Sequence, residues 1–229
     1  KIIKEIIVHT GQHYDENMSD IFFNQMKLRK PKYTLNLGGK THGQMTGQMI
    51  IDIEKIILKE NPDYLLIYGD TNSTLAGAIA ASKLHIPIIH VEAGLRSYNR
   101  KMPEEINRII SDELATFCFC PTSEAVKNLK KEGIIDNNTT IVKNVGDIMY
   151  DVMQSFTETL VPNKNIQNII DKGPYLLATI HRAENTDYKK NMKEIFEAFN
   201  FITEQYNIVL PLHPRTKKQL ENFNIKTDH

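Results

Sequence analysis

Residues 64–108 read YLLIYGDTNSTLAGAIAASKLHIPIIHVEAGLRSYNRKMPEEINR. Two short apolar runs, 64–68 and 86–91, are each followed by a carboxylate, Asp70 after the first and Glu92 after the second. A helix-length stretch of mostly small residues, 73–84, lies between them, and Glu104 and Glu105 open the next helical stretch behind Pro103. Strand, helix, strand, helix at these lengths predicts parallel α/β structure with right-handed crossovers. The carboxyl ends of strands in such a sheet are where ligands bind. Three acidic segments at that edge point to chemistry on a sugar or a phosphate ester.

The same alternation continues on both sides. Further strands are expected over 5–9, 117–120, 140–142, 175–179 and 208–212. Further helices are expected over 16–26, 42–59, 104–114, 123–132, 147–157, 191–205 and 215–223. The stretch 161–173 is polar, rich in Asn and Lys, and holds Pro162 and Gly173, so it reads as a linker. A first domain is therefore expected over 1–160 and the start of a second over 174–229. There is no initiator Met, the chain opens almost inside a strand, and it stops soon after a fresh strand and helix. It is expected to be a fragment whose first domain lacks its first strand and whose second is incomplete.

Composition narrows the function. The 28 basic and 28 acidic residues balance, which leaves no electrostatic footprint for nucleic acid or an anionic membrane. Cys118 and Cys120 stand two apart within one expected strand. That is neither C-x-x-C nor a metal spacing, and they read as buried thiols in a reducing compartment. No apolar run approaches a membrane span and nothing resembles a signal peptide. A cytoplasmic protein with no nucleic-acid or membrane partner is expected.

Several residues carry candidate chemistry. His13, in the T-G-Q-H run at 10–13, either faces the crevice after the first strand or is an ordinary loop histidine. Gly38, Gly39 and Gly43 flank His42 before a helix whose first N–H groups can hold an anion, but the run is neither a Walker loop nor G-x-G-x-x-G and reads rather as a flexible turn. Asn72 or Ser73 can cap the helix after Gly69, which leaves Asp70 for other work. Glu92 is either a site carboxylate or the partner of Arg96 in a structural ion pair. Adjacent Glu104 and Glu105 do not share a helical face, so one can cap while the other works, and Arg108 can hold either. His181, Arg182, Glu184 and Asn185 crowd five positions after a strand. Arg182 suits bidentate contact with phosphate, and His181 suits proton transfer. His213 and Arg215 repeat the pattern after the next strand, as site residues or as an ordinary surface loop.

The runs T-G-Q-H, G-D-T-N-S-T-L-A, H-V-E-A-G-L-R, P-E-E-I-N-R and H-R-A-E-N resemble those of the non-hydrolysing UDP-N-acetylglucosamine 2-epimerases, in order and over nearly the whole chain. The resemblance implies two Rossmann-like domains of the B-type glycosyltransferase (GT-B) fold with the active site between them. It also implies a homodimer, a UDP-sugar substrate, and no metal or redox cofactor. Catalytic roles fall by resemblance on Asp70, Glu92, Glu104 and His181, and nucleotide contact on Arg182. The expected substrate contacts are His13, Arg96, Glu105, Arg108, Arg182, Glu184, Asn185, His213 and Arg215. The implied reaction eliminates UDP to a glycal-type intermediate, then re-adds it with the opposite configuration at the acetamido-bearing carbon. The family's G-x-R-P-type loop and later D-S-G-G-type segment are absent here, so this chain alone is expected to be inactive or poorly active.

R-x-M-P-E-E-I-N-R at 100–108, T-I-H-R-A-E-N-T at 179–186 and P-L-H-P-R-T at 211–216 are similar to a branch acting on UDP-2,3-diacetamido-glucuronic acid. That extra carboxylate calls for a cation, with Arg96, Arg100 and Arg215 as candidates. Rival readings are a B-type glycosyltransferase, a hydrolysing epimerase and a nucleotide-sugar sensor that binds without turnover.

Overall fold

The computed structural model describes residues 3–12, 23, 26–157 and 161–226. His13 and most of the helix expected over 16–26 lie outside the described residues. The chain divides into two compact units, Lys1–Thr157 and Glu158–His229.

In the first unit, β1 (Val8–His9) pairs in parallel with β2 (Tyr33–Thr34), a short strand the sequence pattern does not announce. The main sheet holds β3 (Leu65–Tyr68), β4 (Ile88–Val91), β5 (Phe117–Cys120) and β6 (Ile141–Asn144) in that order, all parallel. Register sets Tyr68 opposite Val91 and His90 opposite Cys118. Helices α1 (His42–Glu60), α2 (Asn72–Lys83), α3 (Pro103–Leu114), α4 (Ser123–Lys131) and α5 (Ile148–Thr157) complete the unit.

Local chemistry explains these elements. α1 buries Met45, Met49, Ile53 and Ile57 at four-residue spacing, one face of a 3.6-residue repeat. It ends where Asn61 takes a left-handed backbone at φ 44°. α2 begins in a capping box, with Thr71 and Thr74 each satisfying the other's backbone N–H. The cap is thus Thr71, not Asn72 or Ser73, and the Asp70 side chain is left uncommitted to it. The small residues of α2 let its neighbours approach closely. A Cβ on Gly77 would stand 3.1 Å from Ile67 Cγ2, and α2 packs against both α1 and α3. The core comprises these faces with Ile67, Ile88, Cys118, Cys120 and Leu129. Each fully buried aliphatic side chain contributes about 1.5–3 kcal/mol.

The second unit contains α6 (Lys164–Ile170), β7 (Tyr175–Leu177), α7 (Ala183–Thr186), α8 (Lys189–Thr203), β8 (Asn207–Val209) and α9 (Pro214–Phe223). β7 and β8 pair in parallel, and Ile180, Met192, Phe196 and Leu220 form a small core. α6 falls inside the stretch read from sequence as a linker. Asn163 caps it, accepting the Ile166 N–H at 3.0 Å, so local capping orders residues whose composition suggests a loose connection. Among the described residues, no helix is long and apolar enough to cross a membrane.

The exit from β4 is the tightest place in the first unit. Glu92 and Gly94 both have positive φ, 75° and 80°. A Cβ on Gly94 would lie 2.4 Å from the Ala125 carbonyl oxygen, a backbone atom that cannot step aside. Gly133 has a similar φ of 88° but nothing within 4 Å. Gly94→Ala should therefore destabilise by at least about 3 kcal/mol and Gly133→Ala by only about 1 kcal/mol. Urea denaturation of the two variants, at unchanged m, checks the difference.

Candidate active site

Asp70 and Glu92 leave the same edge of the sheet side by side, because Tyr68 and Val91 are register partners. Gly69 makes room between them. It turns the chain at φ 63°, and a Cβ there would meet Glu92 Oε2 at 3.3 Å. Its N–H donates to the Val91 carbonyl at 3.0 Å. Burial raises the Glu92 pKa above the ordinary carboxylate value, and the Asp70 and Asp147 charges add to the shift. Such a group is a stronger base than an exposed carboxylate.

Arg108 bridges two carboxylates, donating to Asp70 Oδ2 and, at 2.9 Å, to Glu105 Oε2. Its neighbour Asn107 donates to the Asp70 backbone carbonyl at 2.9 Å and to Asn72 Oδ1 at 3.2 Å. The Asn72 amide in turn meets His42 Nδ1 at 2.9 Å, so the turn around His42 joins the site's outer framework. Gln12 Oε1 accepts the Ser73 N–H and hydroxyl, each at 3.2 Å, which ties the T-G-Q segment to the start of α2.

The adjacent glutamates divide. Glu105 is 1% exposed. It accepts the Ser97 N–H at 2.9 Å, the Ser97 hydroxyl at 2.8 Å and the Tyr98 N–H at 2.9 Å, besides Arg108. Burial works against its charge, but the Ser97 and Tyr98 donors and Arg108 outweigh it and hold its pKa below the ordinary value. Its carboxylate anchors the 97–98 loop through these bonds. Glu104 is half-buried, with no hydrogen bond or ion pair among the described residues.

The reading of Arg96 as the ion-pair partner of Glu92 is corrected: its side chain is 1% exposed and is bonded to other carboxylates. Nη1 donates to Asp112 Oδ2 and the Leu95 carbonyl, both at 2.7 Å. Nε and Nη2 fork Glu132 at 2.8 and 2.5 Å. Burial opposes the charge, yet the Glu132 and Asp112 carboxylates raise its pKa further above the ordinary guanidinium value.

Sequence reasoning missed Asp112, Glu132, Asn128 and His90. Asp112 accepts from His90 Nδ1 at 2.7 Å, from the Gly94 N–H at 3.1 Å and from Arg96. Asn128 donates to the Gly94 carbonyl at 3.0 Å and accepts the Tyr98 hydroxyl at 2.7 Å. A signal was present. Glu105, Arg108 and Asp112 fall at i, i+3 and i+7, which places charges on one face of α3. Burial pushes the Cys120 thiol up to about 12, with the Asp112 charge adding to it, so the strand cysteines are unreactive as thiolates.

In the second unit, the ends of β7 and β8 bring His181 and His213 together, ring centroids 5.7 Å apart. His213 Nδ1 caps α9 by accepting the Arg215 N–H at 3.2 Å. The Arg215 guanidinium forks Asp187 at 3.1 and 2.7 Å. That hydrogen bonding leads the causes that lower the Asp187 pKa. Arg182 and Glu184 are exposed and 3.9 Å apart. Asn185 is half-buried in α7, and its side chain makes no hydrogen bond among the described residues. No group of three or more His, Cys, Asp or Glu side chains suited to a metal occurs among the described residues.

Fold and site together define a Rossmann-like α/β protein with an acidic sheet edge in one unit and a histidine- and arginine-bearing edge in the other. The sequence pattern described as UDP-N-acetylglucosamine 2-epimerase matches residues 1–228, and the chain belongs to that family. It is 52% identical over 229 residues to the UDP-2,3-diacetamido-2,3-dideoxy-D-glucuronate 2-epimerase of Pseudomonas aeruginosa, covering 99% of this chain and 63% of that protein. It is 47% identical over 225 residues to a UDP-N-acetylglucosamine 2-epimerase of Methanocaldococcus jannaschii, covering 96% of this chain and 61% of that one. A crystal structure of the Methanocaldococcus jannaschii enzyme in complex with UDP-GlcNAc and UDP superimposes with a TM-score of 0.87 at 46% identity, over 98% of this chain and 62% of that chain. The Rossmann-like, GT-B type of fold follows. This chain spans about three fifths of the length of these relatives.

Three substitutions separate the bonded carboxylate from the uncommitted ones. Glu105→Ala removes one of the two carboxylates of Arg108 and leaves two backbone N–H groups without their acceptor, and should destabilise by about 3 kcal/mol. Glu104→Gln should stay within about 0.5 kcal/mol in the same denaturation assay. Glu92 binds its proton more tightly folded than unfolded. The stability this contributes is fully present below the unfolded pKa and is lost as pH rises through the raised folded value. Glu92→Gln, which mimics the protonated group, should raise the melting temperature at pH 7 and leave it unchanged at the acidic end of the window.

Proposed function

We propose that the full-length protein containing this chain inverts C2 of UDP-N-acetylglucosamine, giving UDP-N-acetylmannosamine without hydrolysis, for surface-polysaccharide synthesis. Family membership across residues 1–228 carries the reading. Asp70, Glu92 and Glu104 are the acids and bases, His181 and Arg182 assist UDP, and His13, Arg108, Glu184, Asn185 and His213 make the remaining substrate contacts. The enzyme works as a cytoplasmic homodimer and needs no metal or redox cofactor.

The chemistry balances within the sugar nucleotide. A carboxylate takes the C2 proton, the electron pair of that bond forms the C1–C2 double bond, and the C1–O bond breaks with its pair leaving on UDP. In return, the UDP oxygen re-forms its bond to C1 while C2 gains a proton on the opposite face. The C2 proton is weakly acidic, so the departing charge on UDP must be stabilised as the bond breaks. The Arg182 guanidinium and His181 imidazole are suited to that. The raised pKa of Glu92 suits proton abstraction, Asp70 is oriented by Arg108, and Glu104 is uncommitted.

A second reading takes UDP-2,3-diacetamido-glucuronic acid through the same steps, favoured by the 52% identity to the Pseudomonas aeruginosa enzyme. The burial of Arg96 removes it as the cation for that uronate. Arg100 is exposed, with no hydrogen bond or ion pair among the described residues, and is the better candidate than Arg215, which Asp187 holds.

Proton NMR of the full-length protein with each sugar in deuterated water tests both readings. Deuterium at C2 with the inverted epimer forming is the expected result, and tight binding without exchange would overturn it. Asp70→Asn and Glu104→Gln should each lower kcat by about 100-fold or more. Arg100→Ala should leave UDP-N-acetylglucosamine turnover within about threefold, but cut kcat/KM for the uronate at least about tenfold if that is the substrate.

A further inference from the structure

We propose that His90 and Asp112 are positioning residues, a buried pair that holds the Asp70 and Glu92 turns together. The proposal rests on the epimerase reading only for what those two carboxylates do. Both side chains are fully buried, so neither is offered to substrate. His90 Nε2 lies 2.8 Å from the Gly69 carbonyl oxygen. A carbonyl only accepts, so Nε2 carries a hydrogen. Nδ1 lies 2.7 Å from Asp112 Oδ1, while Asp112 Oδ2 accepts from the Gly94 N–H and from Arg96. Asp112 is thus placed as an acceptor throughout, and the hydrogen between it and His90 sits on Nδ1. His90 is then an imidazolium. It alternates with Asp112, Arg96 and Glu132 in a row of two cations and two anions.

The two ends of the pair grip the two turns that carry the chemistry. The carbonyl held by His90 belongs to Gly69, at φ 63° and directly before Asp70. The N–H held by Asp112 belongs to Gly94, at φ 80° and two residues after Glu92, which itself sits at φ 75°. Glycine adopts such backbone freely, but a residue with a side chain, as Glu92 has, holds it only where its surroundings over-determine it. Other bonds fix the strands below: Glu92 and Ala93 share the Phe119 carbonyl at 3.0 and 3.1 Å. Among the described residues, the His90–Asp112 pair is a side-chain link that spans both turns at once. A small displacement of either carboxylate would reach the reacting carbon directly.

Asparagine and glutamine at position 90 separate the two halves of this role in the full-length protein. Asparagine places its amide near Nδ1 and can serve Asp112. Glutamine reaches to Nε2 and can serve the Gly69 carbonyl. His90→Asn should lower kcat for C2 exchange by on the order of 100-fold with KM within about threefold, and His90→Gln should recover about tenfold of that loss. Equal kcat losses in the two variants, or losses that only follow the folded fraction seen by thermal denaturation, would overturn the positioning role. A second measurement needs no turnover. With nitrogen-15 histidine labelling at pH 7, the His90 ring should show hydrogen on both nitrogens, and a bare nitrogen would overturn the assignment. If the wild-type protein shows no exchange, the epimerase reading fails, and the ring measurement still decides the pair.

Discussion

Charge cannot be buried without partners, and the inward face of α3 is polar. Glu105, Asn107 and Asp112 are all buried there, with Arg108 beside them. A helix with an apolar stripe packs wherever its surface is covered. A helix that buries charged and amide groups packs only where each finds a donor or acceptor. Here the partners are loop ends: the Ser97 and Tyr98 backbone, the Asp70 carbonyl and carboxylate, and the Gly94 N–H. The requirement that stabilises α3 in place therefore also fixes the ends of β3 and β4.

This explains the division among five neighbouring carboxylates. Asp112 and Glu105 lie deepest and have the most donors, so they hold structure. Asp70 is shared, its Oδ2 with Arg108. Glu104 and Glu92 are only half-buried, and neither is tied into that framework by a side-chain bond among the described residues. Glu92 pays for its place twice, in a left-handed backbone and in a charge that burial disfavours. Strain and desolvation of this kind concentrate at functional sites, where surrounding bonds offset them. The second unit repeats the logic on a smaller scale. The buried Thr216 hydroxyl donates to the Ile180 carbonyl and ties α9 to the segment leading into His181.

Much of this was legible in the sequence. Apolar runs and small-residue helices are local patterns, and they marked the main strands, the parallel α/β class and the carboxylates at strand ends. Motif order across the chain identified the family. What failed was partner assignment. Arg96 stands four residues from Glu92, and pairing them was reasonable, yet Arg96 bonds Asp112 and Glu132, 16 and 36 positions away. Glu104 and Glu105 are indistinguishable as residue types, and the cap at Thr71 differs from the expected Asn72 or Ser73 by one or two positions. The helix α6 emerged from a composition typical of loops, because a single Asn163 cap suffices to start it.

The sequence by itself determined the alternation of strand and helix, the parallel sheet class and the family, because periodicity and motif spacing depend only on near neighbours along the chain. Tertiary structure alone decided which acidic residue is buried and bonded and which stays available. Desolvation and hydrogen bonding act through space, and most of the donors that satisfy Asp112 and Glu105 come from β4 and the loop after it, which only folding brings to α3.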